Sequence, residues 1–310
     1  MEPIIQVHEL RKSFKDMEAV KGIHFDVAQG EIFGFLGPNG AGKSTTINMI
    51  CTMLAPTSGS VTINGYDAFK QKAKVRESIG IIFQENTLDE KLSALENLKL
   101  HCRFYRVPKN KRAERIQEVL EIVDLTGNQK KKVEEFSGGM KRRLEIARGL
   151  LHYPKVLFLD EPTVGLDPQT RAHIWEYILR LKEKENITIF LTTHYLDEAE
   201  ISHRIAIMDK GTIIALDTPE RLKKQVGGDV IELGTEDNDT VATQLQSAMP
   251  EAEIKQEAGI LRIQVPSSDQ FISTFLQQIP VPITSLNIRR PTLNDVFLSY
   301  TGRDIKAGPA

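Results

Sequence analysis

Short apolar runs of strand length alternate with helical patterns over most of the chain. The runs are Ile4–Leu10, Ile32–Leu36, Val61–Ile63, Ile79–Phe83, Val156–Asp160, Ile187–Thr192 and Arg204–Asp209. Turn residues and amphipathic helical stretches separate them, as in chains where strands and helices follow one another. The alternation predicts an α/β domain built on a sheet.

A helical stretch interrupts this alternation between Ser93 and His152. Ile116, Leu120 and Val123 recur at spacings of four and three, with charged residues between them. That spacing places apolar side chains on one face of a helix. We therefore expect a helical insertion over about residues 86–152.

The pattern changes again after the pair Gly227-Gly228. The elements predicted beyond it are Val230–Leu233, Thr240–Met249, Glu253–Gln256, Leu261–Val265, Phe271–Ile279, Ile283–Ile288 and Leu293–Tyr300, with a hairpin turn at Gly259. Their order is βαββαβ plus a closing helix, which is the split-βαβ or ferredoxin-like arrangement. We predict an α/β domain over residues 1–228 and a small α+β domain over residues 229–310.

Composition narrows the class of protein. The chain has 310 residues, 40% of them hydrophobic, and a formal net charge of −2, without the basic excess expected of a nucleic-acid-binding protein. Cys51 and Cys102 have no metal-ligand or redox spacing, which suits a reducing compartment. We see no signal peptide and no apolar run near the length of about 20 residues that a membrane span needs. A cytoplasmic protein is expected, and any membrane role would require a partner chain.

A glycine-rich stretch follows the strand Ile32–Leu36. Residues 37–45 read Gly-Pro-Asn-Gly-Ala-Gly-Lys-Ser-Thr, and a helical run, Thr45–Leu54, comes next. This matches the phosphate-binding pattern G-x-x-x-x-G-K-S/T in its required context, because glycine amides can close around phosphate oxygens at a helix N-terminus. Lys43 is placed to reach the β- and γ-phosphates, and Ser44 to ligate Mg²⁺. The candidate nucleotide-binding residues are Asn39, Gly40, Gly42, Lys43, Ser44 and Thr45.

Two carboxylates follow the apolar strand Val156–Asp160. Residues 156–161 read Val-Leu-Phe-Leu-Asp-Glu, so the acidic pair emerges at the carboxyl end of the strand, where open α/β sheets bind their ligands. Asp160 is placed to hold Mg²⁺, directly or through water. Glu161 is placed to polarise the water that attacks a phosphoryl group.

A further motif resembles that of one particular family. The stretch Phe136-Ser137-Gly138-Gly139-Met140 resembles the signature Leu-Ser-Gly-Gly-Gln of ABC ATPases, at the expected distance before Asp160. Matches to other motifs of that family are Gln84 (Q-loop), Gly165-Leu166-Asp167-Pro168 (D-loop), His194 (switch) and Phe14 (adenine stacking). The resemblance covers roughly residues 4–225 and implies a P-loop NTPase fold, ATP hydrolysis and a Mg²⁺ cofactor.

In that family two copies sandwich two ATP molecules head to tail, which implies a homodimer here. Ser137, Gly138 and Gly139 would face the γ-phosphate held by the other copy. His194 would contact the γ-phosphate in its own subunit, and Gln84 would touch Mg²⁺ or the water. Asp167 would lie at the dimer seam.

The signature departs from the family pattern at two positions. Met140 replaces glutamine and Phe136 replaces leucine, but the Ser-Gly-Gly amides remain, so activity is expected. The next residues, Lys141-Arg142-Arg143, are interpreted as a solvated helix face.

The tail is similar to that of daunorubicin-resistance-type ATPases of ABC-2 exporters. The stretches that carry the similarity are residues 291–298, Pro-Thr-Leu-Asn-Asp-Val-Phe-Leu, and 301–303, Thr-Gly-Arg. This implies a separate ABC-2-type permease and a peripheral position on the inner face of the membrane. We expect the permease to dock beside Gln84, in a groove over Glu85–Ala94 and the helices after it; packing of Leu88, Leu92, Leu95 and Leu98 in the insertion's own core is the alternative.

Other functions were weighed against export. A chromosome-maintenance ATPase would carry a long coiled coil before the signature, and a translation factor usually has two cassettes. A GTPase would need Asn-Lys-x-Asp, and a simple kinase would lack the signature. A non-transport ABC-type ATPase remains the alternative function.

Overall fold

The computed structural model describes residues 3–15, 17–249, 253–257, 260–266, 268–274, 279 and 281–302. They form two compact units, the first ending at Leu216 and the second beginning at Asp217. None of the helices in these ranges is both long enough and apolar enough to cross a membrane.

Two sheets organise the first unit. Its elements are β1 (Pro3–Phe14), β2 (Met17–Ala28), β3 (Ile32–Leu36), α1 (Lys43–Ile50), β4 (Ser58–Ile63), β5 (Tyr66–Asp67), α2 (Lys72–Ser78), β6 (Ile79–Ile82), α3 (Ala94–Phe104), α4 (Arg112–Ile122), α5 (Gly138–Leu150), β7 (Val156–Asp160), α6 (Pro168–Glu185), β8 (Thr188–Thr193), α7 (Leu196–Ala199), β9 (Arg204–Asp209) and β10 (Thr212–Asp217). Short 3-10 turns lie at Lys109–Lys111, Thr126–Asn128 and Val133–Glu135. The six-stranded sheet has the order β10-β9-β3-β8-β7-β6, and the four-stranded sheet has the order β2-β1-β4-β5.

The second sheet departs from the sequence prediction of one sheet. Ile4–Leu10 and Val61–Ile63 lie in β1 and β4 of the antiparallel sheet, not beside β3 and β7. Strand β2, for which no strand was predicted, pairs with β1 along its whole length, and β4 pairs with the other edge of β1, so both edges of β1 are occupied within the antiparallel sheet. The α/β fold class itself is confirmed.

Alternating side chains along the central strands bury both faces of the parallel sheet. Leu157 and Leu159 of β7 pack among the helices of the insertion. Val156 and Phe158 point the other way, toward the antiparallel sheet. Because successive strand residues face opposite sides, a wholly apolar run is what a strand covered on both faces requires.

Phenylalanines join the two sheets at the centre of the first unit. The rings of Phe25, Phe33, Phe35 and Phe158 all lie near Phe190, with centroid distances to it between 5.2 and 6.0 Å. Phe25 comes from the antiparallel sheet and the others from the parallel sheet. Offset and tilted aromatic contacts of this kind add to the stabilisation that burial provides.

The predicted helical insertion is present as α3, α4 and α5. Ser93 caps α3 because its hydroxyl accepts a hydrogen bond from the Glu96 amide, and the Glu96 carboxylate in turn accepts one from the Ser93 amide. Leu88 and Leu98 are buried in the core around these helices, and Leu92 and Leu95 are half-buried. This matches the alternative interpretation, in which these leucines pack the insertion itself.

The end of α5 lies directly against β6. Gly80 faces the carbonyl oxygen of Gly149, and a Cβ on Gly80 would collide with that oxygen. A side chain at this position would push the helix off the sheet, so the close approach depends on glycine.

The second unit confirms the ferredoxin-like prediction. Its elements are α8 (Pro219–Val226), β11 (Asp229–Thr235), α9 (Asn238–Ala248), β12 (Glu253–Glu257), β13 (Ile260–Val265), α10 (Ser268–Thr274), β14 (Ile283–Arg289) and α11 (Leu293–Thr301). The sheet order is β12-β13-β11-β14 with antiparallel neighbours. Its core is formed by Ile231, Leu233, Val241, Leu245, Leu261, Ile263, Val265 and Phe271. The predicted turn at Gly259, part of the helix Phe271–Ile279 and Arg303 lie outside the described residues.

The division between the two units lies earlier in the chain than the predicted boundary after Gly228. Helix α8 belongs to the second unit. It is tied to α11, where the Tyr300 hydroxyl donates a hydrogen bond of 2.8 Å to Gln225 Oε1. The pair Gly227-Gly228 is therefore a bend inside the second unit.

We expect Phe190→Ala to destabilise the first unit by about 3–5 kcal/mol, because it leaves a cavity among buried rings. The matched control is Phe104→Ala, since Phe104 is 68% exposed, and we expect its effect to stay within about 0.5 kcal/mol. Urea unfolding followed by fluorescence of Trp175, the single tryptophan, reports on this unit. Equal midpoints for the two variants would contradict the packing role of Phe190.

Candidate active site

A glycine-rich loop joins β3 to α1 at the carboxyl edge of the parallel sheet. Leu36 ends β3, and Gly42 precedes α1 with φ 107°. That left-handed conformation is readily accessible to glycine and strained for other residues. The free amides of the first helical turn therefore open toward the loop, which is an arrangement that binds anions.

Lys43 lies inside this loop and is only 5% exposed. Its Nζ donates hydrogen bonds to the carbonyl oxygens of Gly37 at 2.7 Å and Pro38 at 3.2 Å, and lies 3.7 Å from Glu161 Oε1. Burial lowers the pKa of Lys43, while the carboxylates of Glu161 and Asp160 oppose that shift. The ammonium group is therefore held inside the glycine-rich loop, beside the carboxylate of Glu161.

The acidic pair at the end of β7 is held by the neighbouring strand β8. Asp160 Oδ1 accepts a hydrogen bond of 2.5 Å from Thr192 Oγ1, and the Glu161 amide donates to the Thr192 carbonyl at 3.1 Å. Burial raises the pKa of Asp160, against the opposing effect of the Thr192 hydroxyl. Glu161 has φ 46°, an uncommon conformation for this residue type that turns the chain out of the strand. Sequence reasoning missed Thr192. Its contact with Asp160 comes from the pairing of β7 with β8, which local sequence patterns do not reveal.

His194 lies next to Glu161 beyond the end of β8. Its Nδ1 is 3.2 Å from Glu161 Oε1, without the alignment of a hydrogen bond. Glu198 is buried and accepts hydrogen bonds from Thr193 Oγ1 at 2.6 Å and from Thr163 Oγ1. It thereby links the segment after Glu161 to the segment before His194. Sequence reasoning missed Glu198 as well.

One open cavity of about 600 Å³ brings most of the candidate residues together. Those that line it are Asn39, Gly40, Gly42, Lys43, Ser44, Thr45, Gln84, Glu161 and His194. Met17, Ala19 and Val164 also line it, and the sequence had not singled them out. The cavity thus combines a phosphate-binding loop, a carboxylate, an imidazole and an amide.

The signature residues lie elsewhere on the first unit. Ser137 caps α5 and Asp167 caps α6, and both are exposed. Gly138 is exposed and Gly139 is partly exposed in the first turn of α5. None of these four residues is among those that line the cavity. Two helix N-termini therefore present free amides at the surface.

Phe14 is 42% exposed at the end of β1, with Lys12 Nζ 5.0 Å from its ring centre. It is paired in the β1–β2 turn with Met17, which does line the cavity. The stacking role for Phe14 therefore stays a prediction.

The interpretation of Lys141-Arg142-Arg143 as a solvated helix face is wrong for Arg142, which is 6% exposed. The end of β6 and the segment after Glu161 cover that side of α5, and their carbonyl oxygens accept hydrogen bonds from the guanidinium.

Oxygen donors suitable for Mg²⁺ are present at the site, where Ser44 and Gln84 line the cavity and Asp160 is not among its lining residues. Ser44 supplies a hydroxyl, Asp160 a carboxylate and Gln84 an amide oxygen, which are the ligand types that Mg²⁺ prefers. The described part of the chain contains no group of three or more His, Cys, Asp or Glu side chains able to hold a metal. Such a set fits an ion that takes its remaining ligands from phosphates and water.

Two family models match the chain. Residues 20–164 match the family described as ABC transporter, and residues 218–301 match the ATP-binding protein DrrA1-3-like C-terminal domain. The second match begins within two residues of the division seen in the structure.

Relatives of nearly the same length are similar over almost the entire chain. The linearmycin resistance ATP-binding protein LnrL of Bacillus subtilis is 38% identical over 98% of this chain and 100% of its own. The daunorubicin resistance ATP-binding protein DrrA3 of Streptomyces coeruleorubidus is 37% identical over 97% and 96%.

Solved structures are similar to this chain over most of its length. The chain is 28% identical, with a TM-score of 0.67, to cbiO1 from Clostridium perfringens, part of the ABC transporter complex cbiONQ, covering 81% of this chain and 97% of that one. It is 29% identical, with a TM-score of 0.63, to the ATP-binding cassette MJ0796, solved as a dimer in a post-hydrolysis state with ADP and Pi, covering 69% and 98%.

We expect Glu161→Gln to bind ATP within about twofold of the wild-type affinity and to lose at least about 100-fold in turnover. The amide keeps the size of the side chain but cannot accept a proton, whereas the phosphate loop is unchanged. Steady-state hydrolysis and nucleotide binding, measured on the same preparation, test this. Exposed Glu176→Gln on α6 is the control, and near-normal turnover in Glu161→Gln would contradict the assignment.

Proposed function

The chain belongs to the ABC transporter ATP-binding proteins that carry a DrrA-type C-terminal domain, and from this premise we propose that it is the motor subunit of an ABC-2-type exporter. It is an ATPase. The proposal adds three statements: which residues hydrolyse ATP, that two copies dimerise on ATP, and that a separate permease is driven. The observation that carries it is the separation of the signature from the nucleotide cavity.

In this proposal Glu161 orients and polarises the attacking water, which is what phosphoryl transfer requires of a protein. His194, 3.2 Å from Glu161 Oε1, contacts the γ-phosphate and senses its loss. Lys43 exchanges its bonds with the loop carbonyls for bonds to the β- and γ-phosphates. Gln84 touches the water or the cation from the end of β6.

Ser44, Asp160 and Gln84 are the proposed Mg²⁺ ligands. When bound, the ion would neutralise charge on the phosphate oxygens. The role of this chain is to orient the donors, and Thr192 does so for Asp160 through their 2.5 Å hydrogen bond.

The position of the signature supports a dimer. The cavity lined by Lys43 and Glu161 has no signature residue in its lining, while the exposed first turn of α5 carries its free amides away from that cavity. A head-to-tail pair would bring the two together, because each α5 N-terminus would face the γ-phosphate bound by the other copy. Asp167, capping the adjacent helix α6, would lie at the seam.

The relatives support export. LnrL and DrrA3 are named for resistance to linearmycin and daunorubicin. We propose that this chain likewise powers the removal of an antibiotic-like compound, with the compound selected by the permease and not by this subunit.

Gly138→Asp tests the dimer. The substitution suits the fold of one copy, because a Cβ there meets only Leu166 at 3.6 Å and an acidic residue is favourable in a first helical turn. In a dimer, its negative charge would repel the phosphates bound by the other copy. Introduced into Glu161→Gln, it should leave ATP affinity within about twofold and abolish the ATP-dependent dimer that Glu161→Gln alone forms, as measured by light scattering. Dimerisation of both variants, or of neither, would count against the sandwich.

Cysteine cross-linking tests the permease contact. Cys51 and Cys102 are buried, so a cysteine replacing the exposed Asn86, next to Gln84, is the reactive one. We expect it to cross-link to cytoplasmic loops of the membrane subunit purified with this chain. Leu298→Cys, at a residue 45% exposed in the second unit, is the comparison. Cross-links from Leu298→Cys alone would place the coupling surface on the second unit.

A further inference from the structure

The buried guanidinium of Arg142, on α5, bridges the ends of two strands that carry active-site residues. Arg142 Nε donates to the Pro162 carbonyl at 2.5 Å, and Nη1 donates to the Phe83 carbonyl at 2.5 Å. Pro162 directly follows Glu161, and Phe83 directly precedes Gln84. The planar, forked donor group of arginine suits this double contact, since it holds two acceptors in a fixed relation.

The same helix holds the far side of the Gln84 segment. Glu145 Oε1 accepts from the Thr87 amide at 3.0 Å, and Arg148 Nη1 donates to the Thr87 carbonyl at 3.1 Å. Glu145 also accepts from Arg142 Nη1 at 2.9 Å, which joins the two contacts. The exposed residues between Phe83 and Thr87 are thus fixed at both ends by α5.

Burying these charged side chains has a desolvation penalty, so stability alone does not explain the arrangement. Arg142, Glu145 and Arg148 are each at most 6% exposed, and Arg142 Nη2 has no hydrogen-bond partner within the described ranges. Burial lowers the pKa of both arginines, which records the cost of placing their charge there. Apolar side chains of similar volume often stabilise a protein as well as a buried ion pair or better. The specific property of the charged group is the geometry that it imposes on the backbone.

We propose that Arg142 is a positioning residue that sets the separation of Gln84 and Glu161 and couples both to the signature turn of α5. Ser137, Gly138 and Gly139 precede Arg142 by five, four and three residues, so they lie within about one and a half turns of it at the start of the same helix. A ligand held at that turn therefore acts through Arg142 on the backbone beside Gln84 and Glu161. The inference rests on the proposed roles of Gln84 and Glu161 in turnover.

Arg142→Gln and Arg142→Lys in the full-length chain test the proposal. Arg143→Gln is the matched control, because Arg143 is the next residue of α5 and also donates to backbone carbonyls, those of Val123 and Asp124, outside the cavity. The rate of ATP hydrolysis is divided by the amount of ATP bound, so that a smaller fraction of folded protein does not lower the value. Amide hydrogen exchange is followed in residues 83–88 and 161–166, which needs no turnover.

For Arg142→Gln we expect an ATP dissociation constant within about twofold of wild type, at least about tenfold lower turnover per bound ATP, and at least about tenfold faster exchange in both segments. Arg142→Lys keeps the positive charge but lacks the forked donor group of the guanidinium, so it should show the same changes to a smaller extent. Arg143→Gln should match wild type in all three measurements.

Turnover and exchange in Arg142→Gln that equal those of Arg143→Gln would overturn the proposal. If Arg142→Gln does not fold, wild-type turnover and exchange in Arg142→Lys would overturn it equally. Failure of the exporter or dimer proposals is separable, because the exchange measurement is made on the chain alone.

Discussion

The register of the parallel strands is the constraint on which the cavity depends. The pairs at the carboxyl edge are Leu36 with Thr193, Asp160 with Thr192, and Leu159 with Ile82. Because these pairs lie side by side, the phosphate loop, the acidic pair, His194 and Gln84 all leave the sheet at one edge. A slip of one residue would reverse the faces of the apolar side chains, so the two buried faces hold the register that aligns the chemistry.

Much of this could be predicted from local patterns. The strands β3, β6, β7 and β8 are short apolar runs, and the phosphate loop is specified by its own glycines and lysine. The ferredoxin-like unit was predicted from the order of its elements, βαββαβ plus a closing helix. These features need no knowledge of distant contacts.

The remaining features depend on contacts between distant parts of the chain. The exception is β2, whose Ile23, Phe25 and Val27 alternate with His24 and Asp26, so that its strand pattern is visible in the sequence although the prediction omits it. Arg142 reads as a surface residue because arginine is seldom buried, and its partners are backbone carbonyls that no sequence pattern marks. Thr192 and Glu198 act by orienting other side chains. The boundary near Asp217 was missed because α8 looks locally like a helix of either unit.

The close contact between Gly80 and Gly149 holds α5 directly against β6. It lies near one end of the helix, whereas Gly138 lies near the other, eleven residues away and so about 16 Å along the axis. A rotation of about 5° there would carry the tip through about 1.4 Å, roughly half the length of a hydrogen bond. A tilt of a few degrees about this contact would therefore be enough to make or break a hydrogen bond at the N-terminus of α5, and Arg142 would shift with it against the two carbonyl oxygens it holds.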